Sequence, residues 1–135
     1  MNLSGISIIL PTLNEGKNLK ILIPELLDVF SDLNLKNSEI IVSDDGSTDD
    51  TKEILNQIDS NNYDVFFHKR SAKPSLPMSI YEGIEKSKND YVMWLDADGS
   101  MPASMVKKMI ETTLKDEEKI IIASRFVDGG GYKGV

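Results

Sequence analysis

Short apolar runs alternate with helical patterns along this chain of 135 residues, and the alternation limits the folds that it can adopt. Runs rich in β-branched and aromatic residues are typical of buried strands, whereas apolar spacings of three and four are typical of helices. Strands that alternate with helices imply parallel pairing, right-handed crossovers and helices on both faces of the sheet. The predicted class is α/β with an open, mostly parallel sheet. Strands are expected at residues 6–10, 39–43, 63–67, in the run from Tyr91 to the aspartates that follow it, and at 120–123.

Helical spacing fills the intervals between these strands. The first helical pattern runs from Leu19 to Leu33 and contains Pro24, which predicts a kink or a restarted helix because proline lacks an amide N–H. Later helices are expected over residues 78–86 and after Pro102, since proline suits the first turn of a helix. Inward-facing side chains are predicted to include Ile80, Tyr81, Ile84 and Trp94.

The run from Tyr91 ends in two aspartates, Asp96 and Asp98, followed by Gly99. Side chains alternate in extended backbone, so both carboxylates can point the same way at the end of the strand. Ligands of open α/β sheets bind beyond the carboxyl ends of the strands. Mg²⁺ and Mn²⁺ take oxygen ligands there and often bridge to substrate phosphates. The alternative is a turn in which the two aspartates only cap local N–H groups.

Two further polar motifs follow the first two predicted strands. Thr12, Asn14 and Glu15 follow the first strand, and Asp44 and Asp45 end the second. A carboxylate at the end of the second strand can accept hydrogen bonds from a nucleobase or a ribose. Two adjacent acids also exceed what a single helix cap requires. Because parallel strands end at one edge of a sheet, the three acidic and polar clusters are predicted to converge there.

Several other kinds of site are excluded by the same stretches. The residues after the first strand lack both the G-x-G-x-x-G pattern of a dinucleotide site and the spacing of a P-loop. A phospho-acceptor receiver domain would carry its acid pair near the first strand, where this chain has none. A calcium loop requires glycine and glutamate where the chain has Met101 and Lys107. The net charge of −7 argues against nucleic acid as a partner.

Three motifs in this order resemble the successive signatures of family 2 glycosyltransferases with the GT-A fold. They read Pro-Thr-Leu-Asn-Glu at 11–15, Val-Ser-Asp-Asp-Gly-Ser-Thr-Asp at 42–49 and Trp-Leu-Asp-Ala-Asp-Gly at 94–99. Residues 82–84, 89–92 and 123–130 are further similar to the dolichol- and polyprenyl-phosphate branch of that family. The resemblance runs from Ile6 to about Gly131. It implies that residues 1–135 are the donor-binding part of a GT-A domain that is incomplete at its C-terminal end.

The resemblance also implies roles for individual residues. Asp44 and Asp45 would hold the base and the ribose, with either assignment open. Asp96 would face the ribose or, through water, the metal, and Asp98 would bind the Mg²⁺ or Mn²⁺ that bridges the diphosphate. Arg125 matches an arginine placed near the phosphates, and its alternative is a surface salt bridge. The residues implied to line the nucleotide pocket are Pro11, Thr12, Asn14, Glu15, Asp44, Asp45 and Asp96.

The reaction implied is inverting, metal-assisted transfer of a sugar from a nucleoside-diphosphate sugar to a polyprenyl or dolichyl phosphate. A lipid phosphate is already ionised and needs no strong base, which agrees with the lack of an obvious base; His68 is interpreted as a strand-end residue. The alternatives are a hydroxyl acceptor on a polysaccharide or glycolipid, and nucleotide-sugar binding without turnover. The absence of cysteine, of a signal sequence and of a membrane-spanning run agrees with a cytoplasmic setting. The lipid acceptor that the resemblance implies would place the full-length protein at the cytoplasmic face of a membrane. Self-association through an exposed edge is also expected.

Overall fold

The computed structural model describes residues 4–115 of the chain. Within that range one sheet of four parallel strands has the order β3-β2-β1-β4, so the predicted α/β class is confirmed. The fifth predicted strand, at 120–123, lies outside the described residues. The strands are β1 (Ser7–Thr12), β2 (Glu39–Asp44), β3 (Asp64–Lys69) and β4 (Val92–Trp94), and the helices are α1 (Gly16–Asp32), α2 (Thr51–Gln57), α3 (Leu76–Lys86) and α4 (Ala103–Lys115).

The two faces of the sheet pack against different helices. Ile8, Leu10 and Val42 lie on one face, in the main core that also contains buried residues of α1, α2 and α4. Ile9 lies on the other face, beneath α3, where Gly83 allows the helix to approach closely. A Cβ atom added to Gly83 would lie 2.4 Å from Ile9 Cγ2. The helices therefore cover both faces, as the alternating pattern predicts.

The prediction that Tyr81, Ile84 and Trp94 face inward is wrong. Tyr81 is 54% exposed and Ile84 is 44% exposed, because α3 turns its small residues Ser79 and Gly83 towards the sheet instead. Trp94 is 48% exposed. It lies on the face that α3 covers, but α3 packs over β1 and β2 and leaves β4 uncovered among the described residues.

Helix α1 continues through Pro24 as one helix of 17 residues, so the predicted restart is not observed. Proline removes the hydrogen bond that the carbonyl of Lys20 would otherwise accept. Both Lys20 and Pro24 are exposed, so water can satisfy that carbonyl. The buried apolar side chains on the opposite face of the helix pack in the main core and hold the helix in place.

Candidate nucleotide-binding site

The carboxyl ends of the strands bring the three predicted clusters to one edge of the sheet. Thr12 at the end of β1 is in register with Asp44 at the end of β2. On the other side of β1, the last residue of β4, Trp94, pairs with Ile9, so the two aspartates after β4 lie near the end of β1. The β1–α1 loop therefore lies between the Asp44–Asp45 pair and the Asp96–Asp98 pair.

Asn14 ties the β1–α1 loop to the β2–α2 loop. Its φ of +56° is the left-handed conformation that asparagine tolerates better than most residues. In this position its Oδ1 accepts hydrogen bonds from the N–H groups of Thr48 (2.8 Å) and Asp49 (3.1 Å), and its own N–H donates to Ser47 Oγ (2.8 Å). The amide oxygen of Asn14 is thus engaged in holding two loops together.

Asp44 is almost completely buried, and hydrogen bonds surround its carboxylate. Oδ1 accepts a hydrogen bond from Thr12 Oγ1 at 2.9 Å, and Oδ2 accepts from the N–H groups of Gly46 at 3.0 Å and Ser47 at 2.8 Å. A carboxylate with this many donors is fixed in place and has little capacity left for a ligand. Asp44 therefore shapes the β2–α2 loop, whereas the Asp45 side chain keeps 11% of its surface exposed.

Asp45 is held by a buried arginine that the sequence motifs do not identify. Asp45 Oδ1 accepts a hydrogen bond from Arg70 Nη1, and Arg70 Nε donates to Glu82 Oε2 at 2.8 Å. The Arg70 side chain is only 1% exposed, and its hydrogen bonds to Glu82 and Asp45 raise the pKa of its guanidinium. The one available signal was a lone arginine just after a strand. Its partners lie 25 and 12 residues away in sequence.

Asp96 and Asp98 are exposed, whereas Leu95, which precedes Asp96, and Ala97, which lies between the two aspartates, are buried. Both aspartates are therefore accessible, although β4 ends at Trp94 and the chain turns at residues 97–98. Asp98 Oδ1 accepts a hydrogen bond from the N–H of Ser100 at 2.9 Å. Hydrogen bonds from the side chain and backbone of Ser100 lower the pKa of Asp98. The carboxylate is therefore ionised at neutral pH, the form that binds a cation.

The donor set of this pair suits a hard divalent ion. Magnesium and manganese sites commonly consist of one or two carboxylates, with water and substrate phosphates completing the coordination. No group of three or more histidine, cysteine, aspartate or glutamate side chains within residues 4–115 is placed to hold a metal. Two exposed carboxylates fit an ion whose other ligands include diphosphate oxygens. They are too few to complete the coordination of the ion without a substrate or water.

The remaining predicted residues differ in how far they are accessible. Pro11 is buried within β1. Glu15 is half-buried at the position before α1, and its side chain accepts a hydrogen bond from Asn18 Nδ2 at 2.7 Å. Thr12 is buried and donates to Asp44. Arg125 lies outside the described residues. Asp96 and Asp98 are therefore exposed, whereas Thr12 and Asp44 are buried. Asn14 is exposed but joins two loops, and only 11% of the Asp45 side chain is exposed.

Three curated relatives match this chain over most of its length, and each bears the name dolichol-phosphate mannosyltransferase. The protein from Pyrococcus furiosus is 34% identical over 125 residues, which is 93% of this chain and 34% of the relative. The proteins from Mycosarcoma maydis and Saccharomyces cerevisiae are each 27% identical, over 89% and 93% of this chain and 42% and 46% of theirs. The chain thus spans between a third and a half of the length of these relatives.

Solved structures share the fold. A 1–349 fragment of TarS from S. aureus superposes with a TM-score of 0.61 at 19% identity, covering 93% of this chain and 39% of that one. The mannosyltransferase PcManGT from Pyrobaculum calidifontis, in complex with GDP-Man and Mn²⁺, gives a TM-score of 0.59 at 18% identity, over 80% of this chain and 32% of that one. At these identities the likeness shows the fold, which is the GT-A arrangement that the sequence motifs imply.

The sequence profile described as Glycosyl transferase family 2 matches residues 7–134, nearly the whole chain. That match includes all three strand-end motifs and agrees with the parallel sheet that brings them together. This chain belongs to glycosyl transferase family 2.

Proposed function

We propose that these 135 residues form the donor-binding part of a transferase that moves a sugar from a nucleoside-diphosphate sugar to a polyprenyl or dolichyl phosphate. The observation that carries the proposal is the convergence of Asp45 with Asp96 and Asp98 at one sheet edge, in a chain that is 34% identical to a dolichol-phosphate mannosyltransferase. Asp45 suits the nucleoside, and the other two suit a metal-bound diphosphate. GDP-mannose is the first donor to test.

In this proposal the chain contributes orientation and charge. Asp45 accepts a hydrogen bond from the nucleoside, and Asp96 and Asp98 hold Mg²⁺ or Mn²⁺, with Arg125 near the phosphates. When bound, the divalent ion offsets the negative charge that develops on the departing nucleoside diphosphate. An oxygen of the lipid phosphate attacks the anomeric carbon as the bond to the diphosphate breaks, and this single displacement inverts the anomeric configuration. Because that oxygen is already ionised, no side chain has to remove a proton.

A lipid acceptor also implies a place in the cell. A polyprenyl phosphate has its chain in a membrane, so the reaction would occur at the cytoplasmic face of a bilayer. Among residues 4–115 no helix has the length and apolar character needed to cross one.

Donor binding without turnover is the second candidate for these 135 residues, since they match only 34–46% of the length of the curated relatives. A transfer assay with GDP-mannose or a UDP-sugar and a short polyprenyl phosphate separates the two candidates. Product formation supports the transferase, and donor binding with no product supports a binding module. Transfer to a sugar hydroxyl in the same assay would favour the polysaccharide or glycolipid alternative.

The requirement for a metal is tested by measuring the binding of GDP and UDP by calorimetry, in the presence of Mn²⁺ or of EDTA. We expect binding only with the cation, because an acidic edge cannot otherwise hold a diphosphate. Replacement of Asp98 by Asn should weaken metal-dependent binding by roughly 1–3 kcal/mol, the scale of a lost charge-assisted contact. Asp90→Asn is the matched control, since Asp90 is an exposed aspartate near the opposite end of β4. Equal affinity in EDTA would contradict the proposal.

A further inference from the structure

A chain of charged side chains leads from Asp45 into the interface between β3 and α3. Asp45 pairs with Arg70, Arg70 Nε donates to Glu82 Oε2 at 2.8 Å, and Glu82 Oε1 is 2.8 Å from His68 Nε2. The four groups come from the β2–α2 loop, the residue after β3, α3 and β3 itself. They connect the nucleotide side of the sheet edge with a helix that contributes no other predicted site residue.

The arginine at the centre of this chain has a fixed geometry. Its side chain is 1% exposed, and Nη1 also donates to the carbonyl of Lys73 at 3.2 Å. The Arg70 backbone N–H donates to the carbonyl of Asp44 at 2.8 Å. A buried guanidinium requires compensation by anions, and here Glu82 provides it at Nε and Asp45 at Nη1. Glu82 therefore fixes the plane of the guanidinium that Asp45 meets.

Arg70 occupies only one oxygen of Asp45. Oδ1 accepts the hydrogen bond from Nη1, and Arg70 makes none with Oδ2. The Asp45 side chain is 11% exposed, so only a small part of it can reach a ligand. Because Arg70 holds Oδ1, the carboxylate is fixed before any nucleotide arrives, which reduces the ordering that binding requires.

We infer that Glu82 is a positioning residue for the nucleoside end of the donor, acting through Arg70 on Asp45, and that His68 fixes Glu82 in turn. The inference rests on the proposed function, since it requires Asp45 to contact the nucleoside. It gives a role to His68 that is neither a catalytic base nor a simple end of a strand. It also predicts that loss of Glu82 weakens binding of the nucleoside and leaves binding of the diphosphate unchanged.

The test measures two probes on the full 135-residue chain: GDP or UDP with Mn²⁺, and inorganic pyrophosphate with Mn²⁺. Asp45→Ala should weaken nucleotide binding by about tenfold or more, which is the scale of one charge-assisted hydrogen bond. Glu82→Ala should weaken it by about three- to tenfold, and Glu82→Gln, which can still accept from Arg70, by less. Pyrophosphate affinity should stay unchanged in all three variants. Glu85→Gln, an exposed glutamate on the same helix, is the matched control and should bind both probes normally.

A double-mutant cycle distinguishes positioning from a general loosening of the fold. Glu82→Ala should cause no further loss of nucleotide affinity in a chain that already carries Asp45→Ala. A further loss there, an equal loss of pyrophosphate binding, or no effect of Glu82→Ala and Glu82→Gln on the nucleotide would overturn the inference. If the alanine variant does not fold, Glu82→Gln alone decides by the same comparison. Failure of GDP and UDP to bind the parent chain, or normal binding by Asp45→Ala, would instead overturn the proposed function.

Discussion

Asp44 and Asp45 are neighbours in sequence but have different surroundings. The donors around Asp44 come from its own loop and from Thr12, whereas Asp45 meets the side chain of Arg70, the residue that follows β3. The sequence predicts that the pair serves the nucleotide and cannot divide the two roles. That division depends on Arg70, which the fold brings next to Asp45 from 25 positions away.

Replacement of Asp44 by Asn should therefore act mainly on stability. The amide accepts through one oxygen only. Its NH₂ group therefore replaces either Oδ1, the acceptor for the hydroxyls of Thr12 and Ser47, or Oδ2, the acceptor for the N–H groups of Gly46 and Ser47. We expect the free energy of unfolding to fall by roughly 1–3 kcal/mol, measured by urea denaturation. Asp50→Asn is the control, because Asp50 is exposed and makes no side-chain capping bond. If the Asp44→Asn variant has normal stability but no longer binds GDP or UDP, the role of Asp44 is to bind the ligand and not to stabilise the loop.

At acidic pH, the free energy of unfolding should depend on the ionisation of Glu82. Hydrogen bonds with His68 and then with Arg70 lower the pKa of Glu82 below its usual 4.5. A lowered pKa stabilises the folded chain above pH 4.5, and this contribution is lost as the pH falls through the lowered value. The free energy of unfolding should therefore decline below pH 4.5, and Glu82→Gln should decline with a shallower slope. An unchanged slope in that variant would show that the ion pair contributes nothing, and Glu85→Gln should retain the slope of the parent.

At the scale of elements, the spacing of the apolar residues predicts every described strand. The same spacing predicts the wrong face of α3 as the one that packs against the sheet. An apolar stripe normally faces the sheet, so Ile80 and Ile84 were expected to be inward. The inner face of α3 instead carries Ser79 and Gly83, which bring the helix backbone near the sheet. Close approach of this kind uses small residues and leaves no apolar signal. The helix also begins earlier than predicted, because Ser75 accepts a hydrogen bond from the N–H of Met78 as its cap.

Gly83→Ala tests this close approach. Alanine favours a helix over glycine by about 1 kcal/mol, but the added Cβ would lie 2.4 Å from Ile9 Cγ2. Because α3 must then move, we expect a net loss of roughly 1–3 kcal/mol in the free energy of unfolding. The loss should shrink in a chain that already carries Ile9→Ala, which removes the clashing methyl group. Glu85→Ala should change stability by less than about 0.5 kcal/mol, and a Gly83→Ala chain more stable than the parent would refute the packing argument.

At the scale of the whole molecule, one row of side chains crosses the sheet on the α3 side. Phe66, Ile41, Ile9 and Trp94 are in register on four neighbouring strands. Helix α3 covers the two in the middle, whereas Phe66 and Trp94 at the ends are 47% and 48% exposed. Helix α3 itself also carries exposed apolar side chains, Tyr81 and Ile84. The exposed edge that the sequence predicts, at the C-terminal end of the chain, lies outside the described residues, and this row is a separate apolar surface within residues 4–115.

We predict that the chain self-associates through the ends of this row, because apolar patches of a few hundred Å² on soluble proteins tend to mark interaction sites. Light scattering should give a mass that rises with protein concentration despite the net charge of −7. Trp94→Gln and Phe66→Gln should each lower the apparent association constant about threefold or more, since each removes roughly 1 kcal/mol or more of apolar burial. Ile21→Gln is the matched control, because Ile21 is 67% exposed on α1, away from the row. Trp94 is the sole tryptophan, so its emission should shift to shorter wavelength as the chain associates. A monomer mass at every concentration, with constant emission, would show that this surface does not join copies of the chain.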